Sequence, residues 1–577
     1  MNSSFPVEVR IEHLLAQMTL EEKIAQMALV EKNSIDPKTV AAVGIGAVLS
    51  GGGGKPENNT PLGWHTMIME FIEGSKSSRT GIPIFYGMDA NHGLGNIPGA
   101  TIFPHQIGLG ATGNSQLVEE IARATAEESR AIGLQWNFSP ALDLPTDIRW
   151  GRVYENFSDD PELTSTLGAM YVRGLHDGSV LASAKHFVGA GSMLWQTSHN
   201  KNFSIDQGIT EADENRLRSE FLPPFRRAIE EGALNIMVGL NAWGDAKVTA
   251  NHYLITDILK QELGFKGFIV SDWYGVYEIS DSTYESTVSA IQAGVDMVML
   301  PYDYRTFIAD VRQAVRRGDI EEARIDDAVR RILRAKFEFG LFDADTQPPL
   351  SVIGSENHRA LAREAVAQSL VVLKNNDVLP LSKKLRKIRV AGSAADNIGM
   401  QAGAWTVEWQ GIDGNWLPGA TSILAGIQDA VNDSTMIEFD KDGVFLEKDI
   451  ADIGIAIVGE KPYAEGWGDT AHPKISTEDL EAIARLTASS REVVVILVSG
   501  RPLIISDELE NWDALVAAWL PGSEGAGIAD VIFGDATTGT LPITWPRTIE
   551  QLPISASGFT RDGTSPLFPR GFGLRFD

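Results

Sequence analysis

Apolar residues recur at helical spacing over residues 7–30, with Leu14, Leu15, Met18, Ile24 and Met27 on one side. Thr19-Leu20-Glu21-Glu22 offers a capping box between two helices. The period then changes. Short unbroken apolar runs follow at 45–49, 82–88, 134–138, 182–186, 234–240, 267–271 and 295–300, separated by amphipathic stretches such as 116–132, 211–231 and 287–294. Runs without polar alternation fit strands buried on both faces, and their alternation with helices over some three hundred residues predicts a parallel barrel or a doubly wound sheet. Seven runs are visible and an eighth is not, so barrel closure is an inference at this stage.

A helical segment at 325–339 ends at Gly340, and residues 343–355, with Pro348 and Pro349 adjacent, read as a linker. The strand–helix pattern restarts at 387–394, 453–459, 493–500 and 514–520, which predicts a second α/β domain with a mostly parallel sheet. The expected division is 1–345, a linker at 346–366, and 367–577. Four glycines, Gly51 to Gly54, follow the first run. They lack the Gly-Lys-Ser/Thr ending or helix start of a phosphate cradle and read as a flexible loop.

Composition narrows the function. The 577 residues carry 49 Lys plus Arg against 77 Asp plus Glu, a formal charge of −28, which opposes binding to nucleic acid or an anionic membrane. With no cysteine, disulfides, thiol nucleophiles and Cys-ligated metals are out. The first residues show no basic and then apolar leader, and no run of 18 apolar residues occurs. The expectation is therefore a cytoplasmic protein, or a periplasmic or secreted one if a signal has been removed, with no membrane partner. Nothing in the sequence chooses between a monomer and a homo-oligomer.

In parallel α/β folds the chemistry gathers at the carboxyl ends of the strands. Here those ends carry Asp89, Asn91 and His92; Asp143 and then Arg149 and Arg152; Lys185 and His186; and Asp272 and Trp273. Carboxylates and cations hydrogen-bond hydroxyls in pairs, and an indole covers the apolar face of a sugar ring, so the combination points to carbohydrate. Cleaving a glycosidic bond needs one carboxylate as nucleophile or base and a second carboxyl as acid. Asp272 is the candidate for the first role. No His/Asp spacing suggests a metal site, no cofactor is expected, and His92 and His105 read as loop residues.

The motifs Lys185-His186-Phe187-Val188-Gly189, Ser271-Asp272-Trp273, Arg149-Trp150-Gly151-Arg152-Val153-Tyr154-Glu155, Gly403-Ala404-Trp405-Thr406-Val407-Glu408-Trp409-Gln410-Gly411 and Gly571-Phe572-Gly573-Leu574 strongly resemble glycoside hydrolase family three, in its branch of β-glucosidases and exo-acting β-glucan glucohydrolases. The resemblance covers nearly the whole chain. It implies an N-terminal (β/α)8-like TIM barrel followed by an α/β sandwich, with the active site between them. It implies Asp272 as nucleophile and, in the stretch Gly459-Glu460-Lys461-Pro462-Tyr463-Ala464-Glu465, Glu465 as acid/base, with Glu460 as the local competitor. It implies Asp89, Arg152, Lys185, His186 and Met237 around the innermost sugar, with Arg149 as the alternative arginine, and Trp273 and Trp405 about the next sugar outward. The implied partners are β-linked glucosides or gluco-oligosaccharides, cleaved with retention by carboxyls roughly 5–5.5 Å apart.

Two departures bear on substrate. Tyr274-Gly275-Val276-Tyr277-Glu278 stands where the cereal exohydrolases of this branch carry an Arg, which leaves linkage preference open. The loop after Lys185-His186-Phe187 lacks the Asp-His pair of the N-acetylglucosaminidase branch; His199, further on, reads as a loop or supporting residue. β-Xylosidase, β-N-acetylhexosaminidase, a non-catalytic sugar-binding protein and a phosphorylase, in which phosphate intercepts the glycosyl-enzyme, are the alternatives.

Overall fold

The computed structural model describes residues 5–343, 346–446, 449–534 and 538–575. Helices Val7–Leu15 and Leu20–Gln26 open the chain. Thr19 and Glu22 exchange the two hydrogen bonds of a capping box between them, as the sequence predicts. Eight parallel strands follow: β1 Ala28–Glu31, β2 Ala47–Ser50, β3 Phe85–Met88, β4 Trp136–Asn137, β5 Leu181–Phe187, β6 Asn235–Val238, β7 Phe268–Val270 and β8 Val298–Leu300. Their order around the sheet is β7-β6-β5-β4-β3-β2-β1-β8, and the two ends meet in a parallel bridge between Val270 and Met297. Ser271 seals this seam. Its N–H donates to the Met297 carbonyl at 3.0 Å, and its hydroxyl accepts from the Met299 N–H at 2.9 Å.

The eighth strand missing from the sequence reading is β1. It begins two residues after the helix ending at Gln26, with no glycine or proline between, and all four of its residues are buried. Its continuous apolar run therefore merges with the helical pattern before it.

Inside the barrel Trp136 packs on Phe85 and Phe268, with ring centroids 5.8 and 5.3 Å away. Its indole N–H donates to Ser183 at 2.8 Å, Ser183 bonds Asn235, and the Asn235 amide donates to the Phe268 carbonyl at 3.1 Å. A buried polar group is tolerated when it is partnered. This chain of bonds threads four adjacent strands at one level and fixes their relative heights.

The second sheet has six strands: β9 Val371–Asn375, β10 Lys387–Ala391, β11 Met436–Phe439, β12 Ala451–Gly459, β13 Ser490–Val498 and β14 Ala514–Ala517. The order is β9-β14-β13-β12-β10-β11, and β9 alone runs antiparallel to its neighbour. Fully buried runs in β12 and β13 carry the sequence signal. The edge strand β11 is partly exposed and gave none. A helix, Glu356–Ser369, occupies part of the expected linker, and a division at residue 345 falls at 344–345, outside the described residues. Among the described residues no helix is long and apolar enough to cross a membrane.

His92 and His105, read from sequence as loop residues, are buried where the two domains meet. Their rings stack with centroids 3.6 Å apart. His92 Nε2 lies 3.0 Å from the Ala404 carbonyl, and His105 Nε2 lies 3.0 Å from that of Ala402. Burial pushes His92 down to about 4 and His105 well below the usual imidazole range, so both are neutral at physiological pH. The pair anchors the backbone that presents Trp405.

Candidate active site

A cavity of about 660 Å³ opens between the carboxyl ends of the barrel strands and two loops of the second domain. Asp89, Arg152, Lys185, His186, Met237, Asp272, Trp273, Trp405 and Glu465 all line it, so the structure brings together the two carboxyl groups and the seven sugar-binding residues that the resemblance implies. Their burial is graded. Arg152, Lys185, His186 and Met237 are buried, Trp405 is 6% exposed, and the lining residues Tyr274, Tyr302 and Trp467 are exposed.

Each side chain is held by partners. Lys185, at the end of β5, donates from Nζ to Asp89 Oδ1 at 2.9 Å, past the end of β3, and its ammonium lies 5.9 Å from the Trp405 ring centroid. Arg152 pairs with Glu155 through two bonds, Nε to Oε1 at 2.9 Å and Nη2 to Oε2 at 2.8 Å. That geometry fixes the guanidinium plane. Arg149 instead bonds Asp147 and stacks on Trp195 at 4.4 Å, so of the two candidate arginines only Arg152 reaches the cavity.

His186 bridges two carboxyl groups. Its Nδ1 lies 2.7 Å from Asp143 Oδ2, and its Nε2 lies 3.8 Å from Asp272 Oδ2. Burial, followed by the Arg152 charge, drives its imidazolium well below the usual range. Burial also lifts Asp143 to about 7. Both directions favour one shared proton between the two over a full ion pair. Asp272 is oriented locally, since its Oδ1 accepts the N–H of Trp273 at 2.6 Å.

Glu465 reaches the cavity from the second domain, at the head of the 3-10 turn Glu465–Gly468. Its backbone is left-handed, φ +55°, as are those of Trp405 (+56°) and Tyr274 (+58°), which also line the cavity. Such backbone costs of order 1–3 kcal/mol per residue and persists where the surroundings impose it. Part of Glu465 is reachable through the cavity, yet its carboxyl is enclosed. That enclosure pushes its pKa up to about 8, with Asp206, Asp272 and Glu155 adding to the rise and Arg152 opposing it.

Glu460 is committed elsewhere, to Arg501 Nε at 3.0 Å and the Tyr463 hydroxyl at 2.8 Å, and it does not line the cavity. Arg501 also donates to the carbonyls of Ile148, Arg149 and Trp150 in the barrel and of Gly468 in the second domain. Arg501→Ala would leave Glu460 without its cationic partner and take a donor from each of these carbonyls. It is expected to cost about 3–5 kcal/mol of stability, read as a lowered denaturation midpoint accompanied by lost turnover.

The sequence reading missed several aromatic residues of the cavity, among them Trp409, Trp467 and Phe203. A signal for one of them lay in the glycines. A Cβ at Gly51 would come within 2.8 Å of the Trp273 ring and one at Gly52 within 2.5 Å of Trp409, while the Gly52 carbonyl accepts the Trp409 N–H at 3.1 Å. The run read as a flexible loop is the surface on which two indoles lie. His199 sits exposed in the loop after β5 and does not line the cavity.

A closed parallel barrel docked to an α/β sheet, with carboxyl groups from both and indoles around one cavity, defines a carbohydrate-active hydrolase. Comparison with known proteins names the family. The model of the "Glycosyl hydrolase family 3 N terminal domain" matches residues 19–335, and that of the "Glycosyl hydrolase family 3 C-terminal domain" matches residues 370–576. The chain belongs to glycosyl hydrolase family 3.

The chain is 30% identical to a lysosomal beta glucosidase of Dictyostelium discoideum, over 98% of this chain and 76% of that one. It is also 30% identical to a beta-xylosidase of Formosa agariphila, over 100% and 80%. Among solved structures, an exo-1,3/1,4-beta-glucanase from a Pseudoalteromonas species superposes with a TM-score of 0.91 at 38% identity, covering 100% of this chain and 75% of the other.

Proposed function

We propose that this chain is a retaining, exo-acting β-glucosidase or β-glucan exohydrolase that releases glucose from the non-reducing end of β-linked gluco-oligosaccharides. The observation that carries the reading is the pairing of Asp272, set among Lys185, His186 and Arg152, with Glu465, whose carboxyl keeps its proton up to about pH 8. The division into a domain at 1–345, a linker at 346–366 and a domain at 367–577 belongs to the same reading, because it assigns one carboxyl to each domain.

In the first step the Asp272 carboxylate attacks the anomeric carbon from below, and Glu465 protonates the glycosidic oxygen as the C–O bond breaks, so the aglycone leaves as a neutral alcohol. Glu465, now a carboxylate, takes a proton from water while the water oxygen attacks the same carbon and displaces Asp272. Two inversions give net retention. Asp89, Lys185, Arg152, His186 and Met237 surround the glucosyl ring, and Trp273 and Trp405 flank the leaving sugar. A likeness to proteins named beta glucosidase and exo-1,3/1,4-beta-glucanase supports glucose as the unit released.

Proton NMR of the sugar released at early times from a β-linked gluco-oligosaccharide is expected to show β-glucose ahead of mutarotation. Initial α-glucose would mean inversion and would overturn the nucleophile. Likeness to a beta-xylosidase favours β-xylosidase as the second reading. Rates on aryl β-glucoside and aryl β-xyloside compared at equal concentration separate the two.

A further inference from the structure

Trp467 and Phe203 line the cavity, but neither lies in the motifs that gave the family or takes part in the two-step chemistry. Trp467 follows Glu465 by two residues in the same turn and is 56% exposed, while Phe203 belongs to the barrel loop after β5. Their rings meet edge to face, with centroids 5.7 Å apart at 83°. Phe203 also lies against Gly466, where a Cβ would stand 2.2 Å from its ring, so the pair exists only because residue 466 has no side chain.

The loop that carries Phe203 is fixed from the second domain. Asp469 Oδ2 accepts the N–H groups of Ser204, Ile205 and Asp206 at 2.9, 2.8 and 3.0 Å, and its Oδ1 accepts that of Gly151 at 3.0 Å. A largely exposed indole held in place this way presents a sugar-sized apolar face with little ordering left to occur on binding. Asn200 and Asn202, on the same loop and also lining the cavity, supply amides suited to sugar hydroxyls.

Direction follows from the chemistry. Glu465 delivers its proton to the oxygen of the leaving sugar, so the leaving chain passes Glu465 on its way out. Trp467 stands beside that point at a far more open depth than Trp405. We infer that Trp467 and Phe203 form a platform for the second sugar beyond the scissile bond, which makes the enzyme favour gluco-oligosaccharides of three or more units over disaccharides. This rests on the glucosidase reading above.

The test measures kcat/KM on p-nitrophenyl β-glucoside and on the di- and trisaccharides of the β-1,3 and β-1,4 glucan series, for the wild type, Trp467→Ala, Trp467→Phe and Phe203→Ala. The wild type is expected to favour trisaccharide over disaccharide in at least one series. In Trp467→Ala and Phe203→Ala that ratio should fall about tenfold, chiefly through KM, with Trp467→Phe retaining most of it. A wild-type ratio of one, a ratio unchanged in both alanine variants, or equal losses on trisaccharide and aryl glucoside would overturn the platform while the glucosidase reading stands. Wild-type protein that turns over another aryl glycoside but releases no glucose from any of these substrates would overturn both.

Discussion

Asp272→Asn is expected to remove nearly all turnover, by about four orders of magnitude in kcat, which corresponds to roughly 5 kcal/mol of lost transition-state stabilisation. The substitution keeps the shape and one acceptor oxygen, so the bond from the Trp273 N–H survives and the far-ultraviolet circular dichroism and melting midpoint should be close to wild type. What it removes is the negative charge that, in the proposed mechanism, attacks the anomeric carbon. Asp272→Gly provides a sharper version. With the carboxylate gone and space opened at its place, azide should attack an activated aryl β-glucoside in a single displacement and yield the α-glucosyl azide. Near-normal turnover in Asp272→Asn, or β-configured azide product in Asp272→Gly, would end the nucleophile assignment.

The residues that make this pocket differ in how far they could be read from sequence, and the differences have physical causes. Strand-end positions such as Asp89, Lys185, His186 and Asp272 follow buried apolar runs, so periodicity places them even without a structure. Strand β1 lacks such a frame because an amphipathic helix runs into it without a break. His92 and His105 read as loop residues because their partners are carbonyls of Ala404 and Ala402, some three hundred residues away; nothing local marks a contact of that kind.

Gly51 to Gly54 carry a composition that suits flexibility, while Gly51 and Gly52 provide clearance beneath Trp273 and Trp409. Trp467 and Phe203 come from different domains and touch only after docking. Long-range packing of this kind leaves no local pattern in the sequence. The choice of Glu465 over Glu460 comes from resemblance, and it gains a physical basis once Arg501 and Tyr463 are seen to occupy Glu460.

Glu465→Ala should separate substrates by leaving group. With a disaccharide, whose departing alkoxide must be protonated, kcat/KM is expected to fall about 10³-fold; with a dinitrophenyl glucoside, whose phenolate leaves unaided, the loss should be below about tenfold. Equal losses on both would end the acid/base assignment of Glu465. The pH profile supplies an independent reading. In the proposed mechanism Glu465 acts as acid only while protonated, so kcat/KM on the disaccharide should decline above about pH 8, and Glu465→Gln should lack that limb.

Stability carries the same sign. The folded-state pKa is raised above its ordinary value of 4.5, so the favourable contribution from the protonated form is complete below about pH 4.5 and is lost as pH climbs toward 8. The wild-type melting midpoint should fall across that window more steeply than that of Glu465→Gln. The second chemical step needs the opposite behaviour, a carboxylate able to accept a proton from water, and the neighbours of Glu465 provide for it. The Asp272 charge is one of the groups that raise Glu465, and forming the glycosyl ester consumes that charge. In the covalent intermediate Glu465 should therefore titrate below its free-enzyme value. An acid limb for breakdown of the accumulated intermediate that lies below pH 8 would show the carboxyl changing from acid to base within one turnover, whereas a limb at the free-enzyme position would show that Asp272 does not influence it.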